Sequence, residues 1–118
     1  MMRKFFLPLT ATIAVLSFTS CGTNKNLYTW HNYEDVSYKY SKKATPELEV
    51  KLLDEYRKLT DKQKGLRGVV PPGLYAEYGF LLYKTGKKEE GLAFLKKEIE
   101  LYPESTVYIS RIIKQIEQ

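Results

Sequence analysis

The stretch Pro71–Ser105, PPGLYAEYGFLLYKTGKKEEGLAFLKKEIELYPES, leaves a short chain little choice but to fold as packed helices. Pro71-Pro72-Gly73 is a stiff, non-helical lead-in, because each proline lacks an N–H and restricts the residue before it. From Leu74 to Lys84, Leu74, Tyr75, Tyr78, Leu81 and Leu82 fall at the spacing of one helical face. Ala76, Phe80 and Tyr83 form a second apolar set opposite, and only Glu77 and Lys84 are charged. A helix apolar almost all round must be covered on more than one side. This segment is therefore expected to be the central helix, with partners before and after it.

Thr85-Gly86 ends that helix, since glycine takes the left-handed stop conformation without steric cost. Glu89–Tyr102 is amphipathic: Leu92, Leu95, Ile99 and Tyr102 share one face, while Glu90, Lys96, Lys97 and Glu100 point to water. Lys96 and Glu100 lie one turn apart, and Pro103 disfavours continuation. Gly79, inside the first helix, costs about 1 kcal/mol against alanine. Close approach to the second helix near Gly91 is the packing reason expected for it.

Counted as 34 residues from Pro72 to Ser105, this hairpin resembles a tetratricopeptide repeat without a gap. Tyr75 takes the large aromatic position, Gly79 the small one, Gly86 the turn, Leu95 a second bulky position and Pro103 the terminal proline. Gly91 and Glu98 depart from the pattern, which has alanine at both. The resemblance implies that Ala76, Phe80, Tyr83 and Lys84 face a ligand, as an apolar strip ending in a charge suited to an extended or helical peptide. The alternative is that Phe80 and Tyr83 are covered by the chain's own first helix.

The chain begins Met1-Met2-Arg3-Lys4, then runs through fourteen mostly apolar residues, Phe5–Phe18, broken by Pro8. A bilayer span needs about twenty, so this has the layout of a secretory signal peptide over residues 1–20. Small residues before Cys21 resemble a bacterial lipobox, with Phe18 in place of the usual leucine. That implies a diacylglycerol and fatty acyl (palmitate-type) anchor on Cys21 as the new N-terminus. Ordinary cleavage leaving a free thiol is the competing reading. Cys21 is the only cysteine, so an internal disulfide is excluded.

The mature chain, Cys21–Gln118, is then 98 residues: a lipidated tether over residues 21–26 and one domain over 27–118. Five residues after the cysteine reach at most about 17 Å, which keeps the domain near its membrane. Gly22, with no aspartate there, resembles lipoproteins sent on to the outer membrane. Without Arg3 and Lys4 the chain carries seventeen basic and fourteen acidic residues, a net charge of +3. Mixed signs and an exported address argue against nucleic acid as a partner.

Leu27–Tyr40, LYTWHNYEDVSYKY, is dense in tyrosine and tryptophan. Tyr33, Val36 and Tyr40 are spaced for a helical face, with Asn32 as an N-cap. Three roles stand for the aromatics: covering one end of the core, placing Tyr28 and Trp30 at headgroup level, or contacting a glycan or peptide. His31 is the only histidine, so a multi-histidine metal site is excluded. Thr45-Pro46 reads as a helix start, and Leu48, Leu52, Tyr56 and Leu59 continue that helix to about Lys64. Glu47–Lys51 and Asp54–Lys58 are one-turn pairs. Asp61–Arg67 reads as a flexible basic connection, either a solvated loop or a contact for anionic lipid or a partner. Ser105 is placed to cap a last helix buried through Tyr108, Ile109, Ile112, Ile113 and Ile116.

The chain has no glycine-rich phosphate loop, HExxH, paired-cysteine metal spacing or nucleophile elbow. It is expected to be a non-enzyme, without metal, cofactor or small-molecule substrate. LYTWHNYEDVSYKY, VPPGLYAEYG and YPES, in that order, resemble a family of small bacterial lipoproteins of unknown function, although His31 stands where that pattern has a small residue. The resemblance implies a periplasm-facing, outer-membrane lipoprotein whose gene often neighbours lipoproteins similar to the curli secretion channel. The expectation is an all-α, tetratricopeptide-like array of about five helices. It would be membrane-bound through its lipid and act as an accessory that holds a protein partner, or bind cell-wall glycan through its N-terminal aromatics.

Overall fold

The structure, a computed structural model, describes residues 26–118. The expected signal peptide, the Cys21 lipidation site and most of the tether lie outside the described residues. Five α-helices follow in order, with no strand among the described residues: α1 (Tyr33–Lys42), α2 (Pro46–Asp61), α3 (Leu74–Lys84), α4 (Lys88–Leu101) and α5 (Thr106–Ile116). A 3-10 turn, Pro103–Ser105, separates the last two. Successive helices pack on one another, and α3 is central, with α2 on one side and α4 on the other.

The α2 start follows from its residues. Thr45 Oγ1 accepts from the Leu48 N–H at 3.3 Å, and Pro46 opens the helix where its missing N–H costs nothing. The α3–α4 turn also follows. Gly86 sits at φ +98°, and the Gly86 and Lys87 N–H groups bond back to the carbonyls of Tyr83 and Leu82 at 3.2 and 3.0 Å. That is the left-handed cap with its pair of reversed bonds.

Gly79 and Gly91 lie face to face. A Cβ on Gly79 would stand 2.5 Å from the Gly91 carbonyl oxygen, and one on Gly91 would stand 2.5 Å from that of Gly79. The two helix backbones touch there, which is why both positions lack a side chain. Leu95 packs beside this contact and is fully buried.

The main core joins α1, α2 and α3 through Val36, Leu52, Tyr56, Leu59, Leu81 and Leu82. Rings run through it in near-continuous contact, from Trp30 to Tyr33 (5.8 Å between centroids), Tyr56 (5.6 Å), Tyr78 (5.7 Å) and Phe94 (4.5 Å). Most of the N-terminal aromatics therefore extend the core rather than stand apart from it.

Three local expectations are corrected. Asn32 occupies the N-cap position of α1 but makes no side-chain cap bond; its own N–H donates to Glu55 Oε2 at 3.1 Å. Ser105 does not cap α5, because its hydroxyl donates backwards to the Tyr102 carbonyl at 2.7 Å. The connection after α2 is not a free loop. The Gln63 side-chain amide brackets Thr29, accepting its N–H at 3.0 Å and donating to its carbonyl at 2.8 Å. Leu66 and Arg67 donate to the carbonyls of Asn26 and Leu27 at 3.0 and 3.1 Å. Gly65 lies so close to Leu27 and Tyr28 that no side chain fits between them.

On the wet faces, Asp54 pairs with Lys58 at 2.9 Å and with Arg57 at 2.6 Å. Lys39 pairs with Asp35 at 2.7 Å. Glu47–Lys51 and Lys96–Glu100 are not among the ion pairs formed by the described residues.

Candidate functional site

The α3–α5 side of the molecule is built differently from the α1–α2 side. Helix α5 meets α4 and the preceding 3-10 turn, and leaves an apolar groove of about 640 Å³ between itself and α3. Ala76 and Phe80 line it from α3; Ile109, Ile112 and Ile116 line it from α5. Ile109 is fully buried at its base, whereas Tyr108, expected in the buried stripe, is 69% exposed at the rim. Tyr83 lies at one end and donates its hydroxyl to the Ile116 carbonyl at 2.8 Å, tying the end of α5 to α3.

The groove also contains Glu98, on the inner face of α4 with Gly91 and Leu95. Only 2% of it is exposed. Its Oε1 accepts the Gly73 N–H at 2.7 Å, holding the backbone where the chain turns into α3 at φ +91°. Among the described residues nothing donates to Oε2, and it is the one buried side-chain polar atom of this region left without a partner. Buried polar atoms are nearly always paired, and an unpaired carboxylate oxygen costs more than an unpaired neutral group. Glu77 and Glu104 also line the groove, while no lysine, arginine or histidine does. The chain from Cys21 to Gln118 is nevertheless net basic, with seventeen basic and fourteen acidic residues.

The residues implied by the repeat resemblance are therefore divided. Ala76 and Phe80 line the α3–α5 groove; Tyr83 closes its end; Lys84 lies on the other side of Phe80, its Nζ 5.6 Å from the ring centre. Phe80 stands 40% exposed on a ridge between this groove and a smaller hollow bounded by α1 and α2. The first helix does not cover it. Sequence reading missed Glu98 as a groove residue, although its departure from alanine in the repeat pattern marked the position.

Tyr28 and Trp30 belong to a separate hollow of about 510 Å³, shared with His31, Lys64 and Gly65. Their rings meet edge to face at 6.1 Å, and Trp30 is 36% exposed. His31 adopts φ +48°, a left-handed conformation uncommon for a residue with a side chain. Farther inward, Glu77 Oε2 accepts from both Tyr33 (2.6 Å) and Tyr56 (2.9 Å). Burial first, and then the Glu77 carboxylate, push the Tyr33 phenol up to about 12 and raise that of Tyr56 further.

Among the described residues no group of three or more histidine, cysteine, aspartate or glutamate side chains is placed to hold a metal, and no helix is long and apolar enough to cross a membrane. The family model for a domain of unknown function, DUF4810, matches residues 27–112. The chain belongs to this family. The DUF4810 match begins at the Leu27 end of the clasp and runs into α5, so it includes Glu98, Phe80 and most of the groove. No curated protein and no solved structure matches the chain.

Proposed function

We propose that this protein is an outer-membrane-anchored, periplasm-facing lipoprotein that acts as a non-catalytic interaction module, holding a protein partner within an envelope assembly or secretion complex. The observation that carries the binding role is the open α3–α5 groove, apolar along both walls and provided with a buried, unpartnered acceptor at Glu98. A helical pair presenting such a trough is suited to a partner segment laid between its helices. The address rests on the lipobox resemblance around Cys21 and on the short tether that follows it. The place in an export or assembly complex rests on the resemblance to small lipoproteins encoded beside channel-like ones.

Two experiments test this reading. Labelling with a fatty-acid analogue should mark the wild-type chain and not Cys21→Ser, and the variant should leave the membrane fraction. An unlabelled, freely soluble wild-type chain contradicts the anchor. Cross-linking in membranes should capture one discrete protein partner, lost in Phe80→Ala combined with Tyr83→Ala while the helical circular dichroism spectrum persists. Capture unchanged by the double variant contradicts the groove. A second reading, binding of cell-wall glycan, is favoured by the half-exposed Tyr28–Trp30 pair beside Lys64. Co-sedimentation with purified peptidoglycan, abolished by Trp30→Ala, decides for it.

A further inference from the structure

We infer that the groove takes a polypeptide segment carrying one lysine or arginine among apolar side chains, and that this cation is received by the free Oε2 of Glu98. The inference rests on the proposal that the groove is a protein-binding surface, and it specifies the chemistry of the occupant. Three observations lead to it. The groove walls are apolar, so a wholly hydrophilic segment does not fit. All three ionisable carboxylates of the lining, Glu77, Glu98 and Glu104, have the same sign, in a chain whose net charge is the opposite. The most buried of the three has one oxygen engaged by the Gly73 N–H and the other free.

Charge complementarity then selects the partner's sign. An incoming acidic segment would meet three like charges, a repulsion of the kind that excludes wrong partners. Glu98 Oε2 is already shut off from water and unpaired in the free protein, and a neutral apolar segment would leave it so. A lysine or arginine supplies the missing donor, and a bond between ionised groups is stronger than a neutral one. Glu104 at the mouth adds attraction without being buried, and Glu77 along the wall adds its charge although its Oε2 already accepts from Tyr33 and Tyr56. Helix α3 has 11 residues and is about 16 Å long, so a segment of roughly three helical turns spans the groove.

The full chain, purified from cells expressing it, is screened against a displayed library of random twelve-residue peptides. Selected peptides should pair apolar residues one turn apart with a lysine or arginine. Synthetic copies should lose tenfold or more in affinity when that cation is replaced by norleucine. Glu98→Gln retains an oxygen for the Gly73 N–H but removes the charge, and it should abolish the difference between cation and norleucine peptides. Because the norleucine comparison changes only the ligand, it stands whether or not the variant folds. Groove-binding peptides whose affinity ignores the cation overturn this inference and leave the groove reading intact. Selection of no peptide sensitive to Phe80→Ala, or of binding only to anionic phospholipid vesicles, overturns both.

Discussion

Glu55 and Glu98 hold matching posts on the two sides of α3. Each is a buried glutamate on the inner face of a helix, and each accepts the backbone N–H at the N-cap of another helix: Asn32 before α1, Gly73 before α3. Their second oxygens differ. Glu55 Oε1 accepts from Lys58 Nζ at 2.9 Å, whereas Glu98 Oε2 has no donor among the described residues. The α1–α2 side is thus finished internally, with its charge answered, its aromatics stacked and its loop clasped. The α4–α5 side has the same bracket but remains unpaired, next to an open apolar trough. The difference separates a glutamate whose two oxygens are both engaged from one that keeps an unpaired oxygen beside the groove.

That contrast can be broken at several points. The largest effect is expected where the two sides share α3 and the hairpin backbone touches. Gly79→Ala or Gly91→Ala places a methyl 2.5 Å from a backbone oxygen that no rotamer change can move. Each should cost about 3 kcal/mol, the upper part of the usual overpacking range, read from urea denaturation. Unchanged midpoints would show that the helices can separate without penalty.

Next come the two glutamates. Glu55→Ala strands the Asn32 N–H and should cost about 2 kcal/mol. Glu98→Gln keeps its helix-start bond and removes a buried charge with an unpaired oxygen, so its midpoint should stay level or rise. Equal losses for the two variants would erase the distinction drawn between the sides.

A smaller effect is expected at alkaline pH. Burial, and then the Glu77 carboxylate, push the Tyr33 phenol up to about 12 from its ordinary value of 10.0. The folded chain therefore holds this proton more tightly than the unfolded one, and stability falls as pH rises from 10 through 12. Absorbance at 295 nm should show Tyr33 ionising only in that upper window, and Tyr33→Phe should remove one late-titrating phenol. Titration of every tyrosine near 10 in the folded protein would contradict the Tyr33–Glu77–Tyr56 arrangement. Smallest of all, Asp54→Asn removes the exposed pairs with Arg57 and Lys58, and the denaturation midpoint should not move measurably, because such pairs are screened by solvent.

Much of the fold could be read from the residues because its determinants are local. Thr45-Pro46 and Thr85-Gly86 announce helix ends through their own backbone chemistry. Glycine at 79 inside a strong helical pattern has few explanations besides backbone contact, and Gly91 supplies the partner. What escaped was set by distant contacts. Glu98 sits between Lys97 and Ile99, where residue type alone suggests a wet face; only its spacing from Gly91 and Leu95 places it inward. The clasp between Asn26–Thr29 and Gln63–Arg67 uses backbone groups and one side-chain amide, which leave no periodic trace. Tyr108 fitted the α5 stripe by spacing, yet stands at the groove rim because no sixth helix covers that face among the described residues.

The most direct measurement compares the two sides of α3 in living cells. A photo-cross-linking amino acid is placed at Ile112, inside the groove, or at Tyr38, on the exposed face of α1. A discrete protein adduct is expected from position 112, with a lysine or arginine in the cross-linked segment, and none from position 38. Adducts from position 38 alone, or no protein adduct from either, would contradict the groove reading.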